Sequence, residues 1–314
     1  MSRCGLLYDP IFLDHLTGPG HPECPDRALH AYEAINSSGL LKQCTPISTK
    51  ECQMVDLERV HSPKYLKRAR QDISEGLSQL STGDTVICKD SWSVASQATG
   101  GILNALDQIM VGSLDRAFCL TRPPGHHATP DRGMGFCLFN HVAVAARRAQ
   151  AIHGVGKVLI VDWDVHHGNG TQDIFYEDES VYFFSTHQSP WYPGTGNREE
   201  TGSGNGLGYT KNHPLPAGSG HAEIVENAFA DDLVHRMNRF KPELVIISAG
   251  FDSRVEDPLG QFQLTDENFA ELTQVMRTVA NEYANGRVLS VLEGGYNLDG
   301  LASACVSHLQ ALTA

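Results

Sequence analysis

The stretch Lys157–Gln172, KVLIVDWDVHHGNGTQ, decides how the rest of the chain is read. Its opening run is β-branched and nearly continuous, as in a strand buried on both faces. The run then stops abruptly, and Asp, His and Gly crowd into the residues that follow. Working outward, four further runs have the same form: Arg116–Thr121 (RAFCLT), Val181–Thr186 (VYFFST), Glu243–Ser248 (ELVIIS) and Gly286–Leu292 (GRVLSVL). Helical patterns lie around them at Asp26–Ser38, Trp92–Val111, Leu138–His153, Ala222–Phe240, Asp266–Ala284 and Leu301–Leu312. This alternation predicts a three-layer α/β/α architecture, a central mainly parallel sheet with helices on both faces. No repeat, low-complexity tract or linker divides the 314 residues, so 1–314 is expected to be a single domain. The Gly- and Pro-rich stretch Ser189–Gly220 is expected to be a long irregular loop of the kind that carries function.

Composition excludes several classes. With 24 Lys+Arg against 37 Asp+Glu the formal charge is −13, which argues against direct nucleic-acid binding. No apolar run approaches the roughly 18 residues of a membrane span, so no membrane partner is expected. None of the eight cysteines is spaced as C-x-x-C, which leaves no thiolate zinc knuckle. Cys119, Cys137 and Cys305 sit in apolar segments and read as reduced core residues. The N-terminus shows neither a secretory signal nor a transit peptide, so a reducing, cytoplasmic location is expected.

Open parallel sheets bind ligands beyond the carboxyl ends of their strands. Those positions here hold RPPGHHA (Arg122–Ala128), WDVHHGNGTQ (Trp163–Gln172), HQ (His187–Gln188), AGFD (Ala249–Asp252) and EGGY (Glu293–Tyr296). In an extended segment Asp164 and His166 point to one side and can reach one metal. Asp252 can add a third ligand, and three protein ligands with an open position describe a catalytic zinc site. Alone, the Asp164–His166 pair would read as a satisfied loop contact. The tandem His126-His127 suits a general base that later acts as acid, and Asp162 is placed to orient one imidazole. Tyr296, after the Gly294-Gly295 bend, can donate to a developing oxyanion. Gly133-Met134-Gly135-Phe136 and Trp191-Tyr192-Pro193-Gly194 can wall a narrow apolar slot. The glycines of Gly202–Gly208 lack the strand and Lys of a phosphate loop and are set aside.

With these motifs in order, the chain resembles the zinc-dependent histone deacetylases of the arginase/deacetylase superfamily. It looks most similar to the class II branch and its bacterial and plastid-type deacetylase-like amidohydrolases. The likeness runs from GHPECPDR (Gly20–Arg27) through VHSPKYL (Val60–Leu66) to EGGYNLDGL (Glu293–Leu301). It implies the arginase/deacetylase fold, with Asp164, His166 and Asp252 binding catalytic zinc (Zn2+). It also implies His126 and His127 as the acid/base pair, with Asp162 and Asn169 as their partners. Asn169 in place of an aspartate makes His127 less basic. Gly135, Phe136, Tyr192, Leu259 and Gly294 are implied at the substrate slot, with Leu259 in the gatekeeper position. Polyamine-selective relatives place a carboxylate there, so Leu259 disfavours a polycationic substrate. Structural potassium (K+) is implied at Asp162, Asp164, His166, Ser185 and Thr186. A second potassium site is implied at the carbonyls of Phe175, Asp178, Val181 and Tyr209. His141 stands where relatives have asparagine and is expected to alter packing only.

The activity expected from this reading is metal-assisted hydrolysis of an acetamide, with acetyl-lysine in a protein or peptide as substrate. Small acetylated amines such as acetylpolyamines are the second reading. An inactive acyl-lysine binding protein is a third, which the intact set of ligands, histidines and tyrosine opposes. Two-metal ureohydrolase chemistry is disfavoured because Gly168 and Asn169 follow the second histidine pair. Of fifteen histidines, three carry the expected chemistry, and His167 and His187 are expected to be structural.

Overall fold

The computed structural model describes residues 3–314. In chain order the elements are β1 (Cys4–Leu7), α1 (Asp26–Ser38), β2 (Cys44–Ile47), α2 (Met54–Leu57), α3 (Pro63–Ser74) and α4 (Ser91–Met110). Next come β3 (Arg116–Cys119), α5 (His141–His153), β4 (Val158–Asp162), α6 (Asn169–Phe175), β5 (Val181–Gln188) and β6 (Thr210–Leu215). A π-helical segment, Ala222–Leu233, runs on into α7 (Val234–Phe240) and is followed by β7 (Leu244–Ala249), α8 (Asp266–Tyr283), β8 (Val288–Leu292) and α9 (Leu298–Thr313). The eight strands form one sheet in the order β2-β1-β3-β8-β7-β4-β5-β6, every pairing parallel.

The continuous apolar runs are explained by burial on both faces. Along β4, Val158 and Ile160 enter the core beneath α4 and α5. Leu159 and Val161 enter the opposite core, shared with α8 and α9. β7 divides in the same way, with Leu244 and Ile246 on one side and Val245 and Ile247 on the other. The three-layer expectation therefore holds. Helix starts follow their caps. Asn140 accepts from Ala143 N at 3.1 Å, so α5 begins at His141, not at Leu138. Asn297 accepts from Gly300 N at 3.0 Å and starts α9 three residues before Leu301.

Six elements lie outside the sequence reading, two of them the short helices α2 and α6. Thr210–Leu215, inside the supposedly irregular Ser189–Gly220, is edge strand β6, and β2 is the other edge. Both carry a proline, Pro214 and Pro46, which a strand with one free side tolerates but which hides it from pattern reading. β1 is only four residues long, too short for a periodicity. α3 is polar apart from its buried stripe Tyr65, Leu66, Ala69 and Ile73. All eight cysteines are free thiols. No helix of the described residues is long and apolar enough to cross a membrane.

Candidate active site

Register brings the strand ends level, with Asp162 opposite Ser185 on one side and Ser248 on the other. Just beyond that level, Asp164, His166 and Asp252 converge. Their ligand atoms all lie within 4.8 Å of one another. His166 Nδ1 is 3.0 Å from Asp164 Oδ1 and 3.1 Å from Asp252 Oδ2. The segment is a bend and not the extended stretch expected. Asp164 Oδ1 accepts the His166 N–H at 2.9 Å, and this local turn turns both side chains inward. Asp252 is oriented by Val165 N at 2.8 Å, and Asp164 by Gly294 N at 2.8 Å.

The trio fits a divalent cation. Asp164 and Asp252 are fully buried, and His166 is nearly so. Burial and the Asp164 charge push the Asp252 carboxyl up to about 8. Two carboxylates in that position are costly without a compensating positive charge. Two carboxylate oxygens and one imidazole nitrogen form a donor set suited to zinc.

His126 and His127 lie beside the trio with ring centroids 4.0 Å apart and planes tilted by 41°. His126 Nδ1 is 2.9 Å from Asp162 Oδ2. Burial opposes its charged form, but Asp162 and Asp164 outweigh that and raise its pKa well above the usual value. His127 Nδ1 donates to Asn169 Oδ1 at 2.8 Å, while Asn169 Nδ2 faces Met134 Sδ. Burial, His126 and His166 hold His127 well below the ordinary range, so it is neutral with Nε2 free to accept a proton.

A slot of about 270 Å3 leads to these groups, walled by Phe136, Tyr192, Trp191, Leu259, Tyr296 and Gly135. The Phe136 and Tyr296 rings meet edge to face at 6.0 Å, and Tyr192 meets His127 at 5.2 Å. Gly294 does not line the slot. A Cβ there would sit 2.0 Å from Asp252 Oδ2, so its lack of a side chain serves the carboxylates behind the slot. Gly135 does line it, at φ +57°, and a Cβ there would lie 2.3 Å from His127 Cδ2. Gly135→Ala is expected to lower kcat by about tenfold or more by displacing the imidazole, since small misplacements are costly at reacting centres. Steady-state kinetics beside the melting temperature separates this from misfolding.

Of the residues implied for potassium, Asp162 pairs with Ser185 across the sheet and Thr186 follows directly. Thr186 Oγ1 is buried without a hydrogen-bond partner among the described residues, beside Asp162 and Ser185. Such an orphaned oxygen suits a cation ligand. In the second set, the Phe175 and Tyr209 carbonyls already accept Asp178 N (3.1 Å) and Phe183 N (2.9 Å), leaving each one lone pair. His167 bridges Thr195 and Gln172, and His187 bridges Ser185 and the Gly196 carbonyl, as structural residues do. His141 opens α5 and binds Thr99 Oγ1 and the Pro123 carbonyl.

Several residues around the site escaped the sequence reading. Glu293 accepts from Gly125 N (2.6 Å) and His126 N (3.1 Å), anchoring the histidine turn over the end of β8. Asp257 holds Tyr296 N at 2.7 Å and Leu259 N at 2.9 Å, tying the tyrosine to the rim. Asp84 holds Gly135 N and the Tyr192 hydroxyl. Glu23, wholly buried, receives Arg122 through two nitrogens (2.5 and 2.8 Å) and Arg27 at 3.2 Å. Arg27 in turn donates to the Gly295 and Glu293 carbonyls and lies 4.8 Å over the Tyr296 ring. Proximity of Asp84 and Asp257 to the motifs was a weak signal; Glu23 and Arg27 lay within the matched GHPECPDR.

Burial alone would raise the Glu23 carboxyl, but Arg122 and the neighbouring positive groups lower it from 4.5 to about 2. A depressed carboxyl stabilises the fold above its unfolded pKa, and that stability disappears as pH falls from about 4.5 through about 2. The shift corresponds to about 3 kcal/mol. The stability gap between wild type and Glu23→Gln in urea is therefore expected to narrow across that window. A constant gap would show that Glu23 is not held ionised.

Residues 21–312 match the histone deacetylase domain family. The chain belongs to the histone deacetylase family. It is 36% identical over 313 residues to the histone deacetylase-like amidohydrolase of Pseudomonas aeruginosa, covering 94% of this chain and 82% of that protein. It is 39% identical over 306 residues to human polyamine deacetylase HDAC10, covering 93% of this chain but 45% of that protein. The crystal structure of the HDA15 HD domain superposes with a TM-score of 0.93 at 36% identity, covering 99% of this chain and 88% of that one. The fold is thus the arginase/deacetylase α/β fold of the family, and membership supports a hydrolase of the deacetylase type.

Proposed function

We propose that this chain is a zinc-dependent amidohydrolase that removes the acetyl group from Nε-acetyl-lysine in proteins or peptides. The observation that carries this reading is the meeting of the Asp164–His166–Asp252 trio, two separately oriented histidines and Tyr296 at the end of one narrow apolar slot. Asp164, His166 and Asp252 would hold zinc, which when bound supplies Lewis-acid polarisation of the amide and acidifies water. Phe136 and Tyr192 flank the neutral, slender acetyl-lysine side chain and exclude solvent. His127 Nε2 takes the proton from the attacking water while Asn169 keeps its Nδ1 protonated. His126, held by Asp162, places positive charge beside the forming oxyanion. Tyr296 donates its phenolic proton in a hydrogen bond to that oxygen. The proton on His127 then passes to the departing lysine amine. Asp162, Ser185 and Thr186 would hold one potassium ion, and the carbonyls near α6 a second.

The human relative's name brings small acetylated amines forward as the second reading. Leu259, apolar at the rim and fixed by Trp191 Nε1 on its carbonyl at 2.8 Å, supports the peptide instead. On metal-reconstituted protein, an acetyl-lysine peptide is expected to exceed acetylspermidine in kcat/KM by about tenfold or more, the worth of one well-placed contact. The reverse order would transfer the function to acetylated amines. Failure on every acyl-lysine and acylamine tested would leave an inactive binding protein.

A further inference from the structure

A second recess lies at the opposite end of the sheet, beside the amino ends of β4, β5 and β6 and the carboxyl end of α7. Its volume is about 500 Å3, within the range of small-molecule sites. Lys157, Arg236 and Arg239 line it, and no acid does, in a chain whose acids outnumber its bases 37 to 24. Two carboxylates lie close by, and the first, Asp232, is already engaged by Arg236 (2.7 Å), His213 (2.9 Å) and Lys211 (3.8 Å). Glu243, next to the Lys157 backbone, is turned to Gly156 N. Among the described residues neither Lys157 nor Arg239 makes an ion pair, and Lys157 rests over the Phe240 ring at 5.5 Å.

Arg236 is pre-oriented. Its Nε is fixed on Asp232 and one terminal nitrogen reaches the Tyr182 hydroxyl at 3.3 Å, leaving the other terminal nitrogen for a ligand. An orienting network of this kind lowers the ordering cost of anion binding. Apart from the three cations, the wall is formed by Tyr182, Tyr209, Phe240 and Leu207, with Gly208 and the exposed His235 at its edge. Tyr209 is half-buried, its ring packed against Tyr182 and Phe240, and Leu207 stands 65% exposed at the rim. A free anion would use the cations and leave Leu207 and Tyr209 without purpose. An anion carrying a planar body uses both.

We propose that this recess binds a nucleoside phosphate, its phosphate held by Arg236, Arg239 and Lys157 and its base set against Tyr209 and Leu207. The site is separate from the acetyl-hydrolysing slot and stands whether or not that reading does. The test is calorimetric titration of the metal-loaded chain with AMP, adenosine and orthophosphate, and of a Lys157→Glu/Arg239→Glu variant with AMP. AMP is expected to bind once per chain, about tenfold or more tighter than adenosine or orthophosphate. The variant is expected to lose at least about tenfold in AMP affinity while its ligand-free melting temperature and acetyl-lysine turnover match wild type. No AMP binding at about 1 mM overturns the proposal, as does equal binding by the variant. Orthophosphate binding as tightly as AMP also overturns it, since the aromatic wall then contributes nothing.

Discussion

Tyr296→Phe is expected to lower kcat by about 10²–10³, the usual cost of one oxyanion donor, while KM and bound zinc stay near wild type. The ring is held from three sides. Asp257 fixes its backbone N–H, Arg27 lies over one face and Phe136 meets it edge to face. A phenylalanine therefore occupies the same place, and only the hydroxyl is lost. Burial raises the phenol pKa well above its usual 10 against the pull of Arg27, so the hydroxyl stays a proton donor at neutral pH. An interaction made only as the amide oxygen gains charge lowers kcat and kcat/KM together. Unchanged turnover would remove the tyrosine from the oxyanion. A fall in zinc content or a large rise in KM would instead mark it as a packing residue.

Asp252→Ala is expected to abolish turnover by a different route. Elemental analysis after dialysis should show zinc falling from about one per chain to about a tenth or less, because loss of an inner ligand exceeds the 10–100-fold cost of losing an outer one. The fold should survive. The carboxylate packs against Asp164 and His166, and its removal in the metal-free chain relieves the burial cost and the Asp164 repulsion that together drive the Asp252 carboxyl up to about 8. The paired measurement is thus metal content beside melting temperature. Full zinc occupancy would refute the ligand assignment. A collapsed melting temperature would make the carboxylate structural, as its bond to Val165 N at 2.8 Å allows. Tyr296→Phe and Asp252→Ala separate two losses that activity alone would confuse.

Much of the site was legible in the chain because its chemistry sits in short segments directly after apolar runs. Asp164, His166, Asp252, His126, His127 and Tyr296 were each found from the residue types at a strand end. Glu293 and Asp257 were not. Their work is to accept backbone N–H groups of Gly125, His126, Tyr296 and Leu259, and a backbone donor leaves no mark in the sequence. The bend at Asp164–His166 was misread as extended for a similar reason. The Asx turn that replaces it depends on one side-chain-to-backbone bond, not on periodicity.

By itself the sequence determined the class of fold. Five runs buried on both faces, separated by helical lengths, admit little besides a parallel sheet between two helical layers. It also determined which residue types stand at the strand ends. Only the tertiary structure decided the strand order, in which β7 and β8 return to fill the centre between β3 and β4. That order sets Asp252 beside Asp164, suspends the histidine turn over the end of β8, and brings Glu23 and Arg27 from near the start of the chain beneath Tyr296. The physical reason is separation along the chain. Local pattern specifies how a segment is buried, but a contact between residues 27 and 296 exists only once the sheet has chosen its neighbours.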